Sequence, residues 1–197
     1  MYLTKPHPIW LTAGSNPYEV SKAIQQASFL SGRYRSAEFM KHWSKYKNGF
    51  CLAPKCSNKV ENIEHILVHC LAYSECKRRL YGLWLSTPNK VVLKLVLEAL
   101  SSETEYLVQF LLDCSVLPSV IKATQLHGPD LLHELFYLTR SWCFSVHKQR
   151  MKILGRWNFQ WVPGVPKKRS TNFHYTTDYY TIHKNHNWLC IVNNKLN

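Results

Sequence analysis

Three cysteines and one histidine within twenty residues are the groups in this sequence whose types and spacing could do chemistry. Cys51, Cys56, His65 and Cys70 follow the pattern C-x4-C-x8-H-x4-C. Thiolates and a neutral imidazole are the ligands of structural Zn²⁺, and a tetrahedral ion filled by four protein atoms keeps no open position for substrate. The chemistry implied is structural and not hydrolytic. Pro54 can turn the first cysteine pair back on itself, and Glu61-Asn62-Ile63-Glu64 leads into a helix expected to bring His65 and Cys70 to roughly the same side. Three thiolates, one imidazole and a divalent ion sum to one negative charge, which Lys55 and Lys59 are placed to offset. His69, four residues beyond His65, and Cys76 compete as ligands. The alternative is that these are ordinary buried thiols, which behave as small hydrophobes in a reducing compartment.

The redox setting follows from the same residues. Seven cysteines is an odd number, and the sequence has no Asn-x-Ser/Thr acceptor site. Both favour metal-bound or free thiols over a disulfide framework, and an intracellular location, nucleus or cytoplasm. Other chemistries find little support. The three aspartates, Asp113, Asp130 and Asp178, sit in different segments, so nothing resembles the paired carboxylates that hold two divalent ions. Seven scattered glycines form no phosphate loop, and no Ser, His and Asp arrangement stands out. The sequence predicts no enzyme and no small-molecule substrate.

The elements that must position the cluster read as helices. Asn16-Pro17 is a cap followed by a residue with no amide to leave unpaired, and Val20, Ile24, Ala27 and Leu30 share one face. Ser36 to about Tyr46 reads as a second, short helix, with Phe39 and Trp43 on one side. Tyr73, Cys76, Leu80, Leu83 and Trp84 mark another, and Thr87-Pro88 a cap and first turn for Val92, Leu95, Val96 and Ala99. Ser102 and Glu105 have capping-box spacing before Tyr106, Leu107 and Phe110. Pro118 opens a shorter helix that Gly128 closes. Pro129 then punctuates the chain and Asp130 caps a last helix to about Leu154, where His147, Lys148, Arg150 and Lys152 oppose the negative end of its dipole.

The expected fold class is all-α, an irregular domain of six or seven helices with an inserted CCHC zinc-binding loop and a mostly disordered C-terminal tail. Its organisation is an N-terminal arm (1–15), a basic zinc-binding region (16–86), a helical domain packed on it (87–157) and a basic tail (158–197). The formal net charge is +13. The excess lies at the two ends of the chain and the middle is neutral, which favours a polyanionic partner. No uninterrupted apolar run reaches the 18 or more residues of a typical membrane span, so no membrane is expected. Lys167-Lys168-Arg169 reads as part of an ordinary basic tail.

The stretch Phe29-Leu30-Ser31-Gly32-Arg33-Tyr34-Arg35, then Lys41-His42-Trp43, the Cys51 to Cys70 run and the closing Leu154-Gly155-Arg156-Trp157 resemble a known region. It is the zinc-binding region downstream of the polymerase core in non-LTR retrotransposon reverse transcriptases, over about residues 10 to 156. The resemblance places Cys51, Cys56, His65 and Cys70 on that family's CCHC ligand positions and implies a part in gripping RNA or DNA. The polymerase motif itself is absent.

Two readings result. In the first, a zinc-stabilised module holds phosphates with Arg33, Arg35, Lys41, Lys45, Lys47, Lys55 and Lys59, while Tyr34, Trp43, Tyr46 and Phe50 stack on unpaired bases. In the second, the chain is a non-enzymatic helical interaction protein or a transposon remnant with no selected activity; its aromatics are core and its lysines a solvated face.

Overall fold

A computed structural model describes residues 6–41, 48–56 and 58–160. The expected all-α class holds: among the described residues there are eight α-helices and no strand, only an isolated antiparallel bridge between Phe50 and Val60. The helices are α1 (Pro8–Leu11), α2 (Pro17–Leu30), α3 (Ala37–Met40), α4 (Ser74–Leu85), α5 (Lys90–Ser101), α6 (Thr104–Asp113), α7 (Pro118–His127) and α8 (Asp130–Gln160). Two of them, α1 and α3, are single turns of four residues. The chain divides into two units, Met1–Trp157 and Asn158–Asn197. The helical core belongs to the first. The predicted tail lies outside the described residues apart from the last turn of α8.

Local signals set most helix starts. The Asn16 side chain accepts from the Tyr18 amide at 2.9 Å, Pro118 is the first residue of α7, and Gly128 ends α7 with φ +87°. Three predicted caps differ. Asn89, not Thr87, caps α5, through Val91 N–H at 3.0 Å and Val92 N–H at 3.3 Å. Thr87 Oγ1 instead donates to Glu134 at 2.7 Å, where Asn89 Nδ2 also donates at 2.9 Å, so the α4–α5 turn is tied to α8. Glu103 stands at the start of α6, and the Ser102 hydroxyl turns back to Glu98 O at 2.7 Å. The Pro129 carbonyl accepts the Leu132 and His133 amides, leaving Asp130 as the first helical residue rather than the cap.

Helix α8 is the spine, with Leu131, Leu135, Phe136, Thr139, Trp142, Cys143 and Val146 all buried on one side. Trp142 meets Trp84 at 4.8 Å and Tyr81 at 4.9 Å between ring centres. The last carbonyls of a helix have no partner inside it. At the end of α6, the Leu111 carbonyl is satisfied from outside by Gln26 Nε2 at 2.8 Å and the Cys143 thiol at 3.6 Å. Arg140 does the same for α1, reaching Thr12 O at 3.0 Å, Thr12 Oγ1 at 2.6 Å and Ile9 O at 3.4 Å. Residues 8–13 are thereby held in the core, with Ile9 and Ala13 buried.

One reading of the sequence is corrected. Helix α8 continues through Gly155, because one glycine costs only about 1 kcal/mol in a long helix. His147, Lys148 and Arg150 therefore lie inside it, not in a terminal turn. Among the described residues, Thr104–His127 is long and apolar enough for a membrane span by length and composition alone, with a mean hydropathy of 1.4 over its best window and 44% of that window buried in the protein. The chain bends at Leu117-Pro118, and the two halves pack as α6 and α7 with buried Asp113 between them, its carboxylate 3.0 Å from His7 Nε2.

His147 lies beside Tyr34 Oη, 3.1 Å from its Nδ1, and burial together with the Arg150 guanidinium pushes its pKa down to about 4. The native state thus holds this imidazole neutral, while an unfolded chain protonates it near 6.5. The stabilisation is complete above pH 6.5 and is lost as pH falls toward 4, by up to roughly 3 kcal/mol. His147→Gln should lose less stability than the parent chain between pH 6.5 and 4.5 in denaturant titrations; parallel losses would contradict this assignment.

Candidate metal centre

Cys51 and Cys56 come from a loop closed by a short antiparallel clamp. Cys51 N–H donates to Lys59 O at 2.7 Å and Glu61 N–H to Gly49 O at 2.9 Å. Gly49 sits at φ +67°, where a Cβ would stand 3.3 Å from the backbone of Glu38, and Asn58 adopts φ 66°. Between these turns Pro54–Cys56 makes one 3₁₀ turn, closed by Cys56 N–H to Ala53 O at 2.8 Å.

His65 and Cys70 are brought together by a different device from the one the sequence implied. In an α-helix, 3.6 residues per turn put a residue five places on about 140° around the axis. An ordinary helix would point these two side chains apart. Residues His65–His69 instead form a π turn, with Cys70 N–H donating to His65 O at 2.6 Å. The i→i+5 bond stacks position 70 over position 65. Asn62 Oδ1 caps the turn through His65 N–H at 2.7 Å.

The four ligand atoms lie within 4.8 Å of one another and all four residues are buried. The Sγ of Cys70 is 3.8 Å from that of Cys51 and 3.7 Å from that of Cys56. A tetrahedral ion with metal–sulfur bonds of about 2.3 Å holds neighbouring sulfurs about 3.8 Å apart. These separations also exclude a disulfide, and the three cysteines are free. His65 Nε2 is buried with no hydrogen-bond partner, a costly state for a neutral imidazole unless a ligand takes it. Burial lowers the His65 pKa, which keeps the ring in its metal-binding form. Cys70 is pulled below its usual range by the Cys51 thiol, against burial, and Cys51 is raised correspondingly. The four residues can hold a metal ion.

The charge of such a site is met by a residue the sequence reading missed. Lys77 is buried on α4 and donates to Val68 O at 2.6 Å and Cys70 O at 3.1 Å. Desolvation brings its pKa down to about 8. Its signal was a lysine in the apolar stripe Tyr73, Leu80 and Trp84 next to a cysteine cluster. Lys55 and Lys59, assigned that role from sequence, are exposed. An N–H to sulfur contact runs from Leu71 N to Cys56 Sγ at 3.3 Å. Neither competing ligand joins the cluster: His69 is exposed and sits 3.0 Å from Glu64 Oε1, and Cys76 is half-buried against the core.

The loop is strapped to α8 at two points. Glu61 Oε1 accepts from Arg150 at 2.5 Å and from Ala37 N–H at 2.8 Å, with both charged side chains buried. Arg150 also lies over Tyr34, which stacks on Phe29 at 3.7 Å. Trp142 Nε1 donates to Leu67 O at 3.2 Å, inside the π turn.

Of the cations predicted to meet nucleic acid, Arg33, Arg35, Lys41, Lys55 and Lys59 are exposed, whereas Lys45 and Lys47 lie outside the described residues. Of the rings predicted to stack on bases, Tyr34 is buried and Phe50 half-buried, and Trp43 and Tyr46 lie outside the described residues. Phe39, read as core, is exposed. No protein-family model, curated protein or solved structure matches this chain.

Removal of one ligand should weaken metal binding, because water must then fill the vacated tetrahedral position in a buried site. Co²⁺ added to metal-free protein should give the strong visible absorption of tetrahedral thiolate coordination, and Cys70→Ser or His65→Ala should weaken binding at least about 100-fold. Wild-type absorption in the variants would place the metal elsewhere.

Proposed function

We propose that this chain is a zinc-stabilised, non-catalytic module that binds RNA or DNA, of the kind found after the polymerase core of non-LTR retrotransposon reverse transcriptases. The observation that carries the reading is the convergence of Cys51, Cys56, His65 and Cys70 at tetrahedral spacing. Three soft thiolates with one imidazole suit Zn²⁺ among the common divalent ions, since it is redox-inert and accepts tetrahedral geometry without penalty. Four protein ligands saturate the ion, so its role is to fix the chain. What it fixes is the basic front segment: Arg33, Arg35, Lys41, Lys55 and Lys59 sit on loops and turns flanking the cluster, and Lys45 and Lys47 fall between them in sequence.

Phosphate contacts from exposed lysine and arginine supply sequence-independent affinity through release of counterions. A cationic segment held rigid loses less entropy on binding than a mobile one, which is how a structural ion raises affinity without touching the ligand.

The test pairs metal analysis with a salt titration. Purified protein should contain one zinc per chain. Its affinity for a 20-nucleotide RNA or single-stranded DNA should fall with log salt at about −0.7 per neutralised phosphate. Replacing Arg35, Lys41, Lys55 and Lys59 together by glutamine should make that slope shallower by about 2 to 3. Absence of zinc, or affinity indifferent to salt and to these four substitutions, would favour a helical protein-interaction role instead.

A further inference from the structure

Of the rings first expected to stack on bases, the described ones are buried (Tyr34) or half-buried (Phe50), and a different aromatic group is exposed. Tyr18, in the first turn of α2, is 54% exposed and Tyr137, in the middle of α8, is 51% exposed. Lys22 Nζ lies 4.6 Å from the centre of the first ring and 4.9 Å from that of the second. Tyr18 also meets Phe144 edge-on at 5.5 Å, and Lys148 Nζ stands 5.7 Å over the Phe144 ring. Positions 137, 141, 144 and 148 follow the three- and four-residue spacing of one helix face. They make a continuous strip with the start of α2.

Three features distinguish this strip from incidental exposed aromatics. The rings are held before any ligand arrives: Lys22 is fixed by Glu19 Oε1 at 2.7 Å and Ser141 Oγ at 3.3 Å, and both tyrosines rest on its ammonium. Stacking on them therefore loses little side-chain entropy. The strip is cationic, because Glu19 is held between Lys22 and Arg140, the latter at 3.6 Å, and exposed Lys148 forms no ion pair with an acidic group among the described residues. Finally, exposed rings beside lysines match what single strands require, π faces for bases and ammonium groups for phosphates.

We infer that the α2–α8 strip formed by Tyr18, Tyr137, Phe144, Lys22 and Lys148 is a stacking platform for unpaired nucleic-acid bases. This rests on the nucleic-acid reading above and specifies where base contacts, as opposed to phosphate contacts, are made. Tyr18 and Tyr137 take bases on their exposed faces, Lys148 takes a phosphate, and Lys22 and Phe144 position the rings. A duplex, whose bases are already stacked, has no face to offer them.

The experiment uses the full chain as purified with fluorescein-labelled 20-nucleotide oligouridylate, oligothymidylate and a mixed-sequence duplex, read by anisotropy. The platform predicts that both single strands bind more tightly than the duplex, since either pyrimidine offers an unstacked face. Tyr18→Leu with Tyr137→Leu should weaken single-strand binding about 30-fold, the low end of stacking for two bases, with the salt slope unchanged. Tyr18→Phe with Tyr137→Phe should stay within about 2-fold, since the π faces remain. Lys148→Gln should make the salt slope shallower by about 0.7. Independently of any variant, photocrosslinking with 5-iodouracil-substituted oligonucleotides should attach to Tyr18 or Tyr137. Salt-dependent binding by the parent chain that the leucine pair leaves unchanged, or crosslinks confined to residues 33–59, would overturn the platform while leaving the phosphate-binding reading intact. No binding by the parent chain to any of the three probes would remove both.

Discussion

The i→i+5 hydrogen bond between Cys70 N–H and His65 O is the constraint from which the rest of the metal centre follows. Five residues separate the second pair of ligands, a spacing that an α-helix would turn to different faces. One wider turn removes the mismatch and lets the chain offer an imidazole and a thiol side by side. A π turn is unfavourable for an isolated peptide and is found mostly at functional sites. Here it is held from both ends: Asn62 caps its start, and Lys77 takes up the Val68 and Cys70 carbonyls at its finish. Trp142 reaches a third carbonyl, that of Leu67, from α8. The segment is thus held by an acceptor before it and by donors from α4 and α8.

A buried ion pair then decides where the loop can sit. Removing one partner of a buried pair costs about 3 to 5 kcal/mol, because the other is left charged in a poor solvent, even where the pair itself adds little net stability. Glu61 and Arg150 accordingly act more as a register mark than as glue. They fix the segment between the two halves of the ligand set against one turn of α8, with the Ala37 amide and the Tyr34 ring as further contacts. Lys77 faces the Cys56 and Cys70 thiols and Arg150 faces Glu61, so each of these buried cations has an acidic neighbour.

The helical class and seven of the eight helices were legible because apolar periodicity and terminal residues such as Asn16, Pro17, Pro118 and Gly128 act over one or two turns. The single turn α1 was not, as it has no periodicity to show and depends on Arg140, more than a hundred residues away. Separations of 45 and 47 residues hid the partners of Thr87, Asn89 and Glu134, which moved a predicted cap by two residues. The ligand types were readable from spacing, but the π turn was not, since residue types do not announce which of two hydrogen-bonding registers a short helix adopts. Lys77, Arg150 and Tyr18 share another difficulty. Charged and aromatic side chains are compatible with either a buried or an exposed position, and only the packed neighbours decide. Arg150 was read as a helix-dipole counter-charge and is a buried partner of Glu61; Tyr34 was read as surface and lies beneath it.

A structural ion held by these four residues would link a loop rich in cations to a helical body that otherwise holds it by one ion pair and a few carbonyl contacts. The decisive measurement is X-ray absorption at the zinc edge on the purified full chain. The account predicts a shell of three sulfurs at about 2.3 Å and one nitrogen at about 2.0 to 2.1 Å. A shell of oxygen and nitrogen alone, or a sulfur count of two or fewer, would contradict convergence of Cys51, Cys56, His65 and Cys70 on one ion.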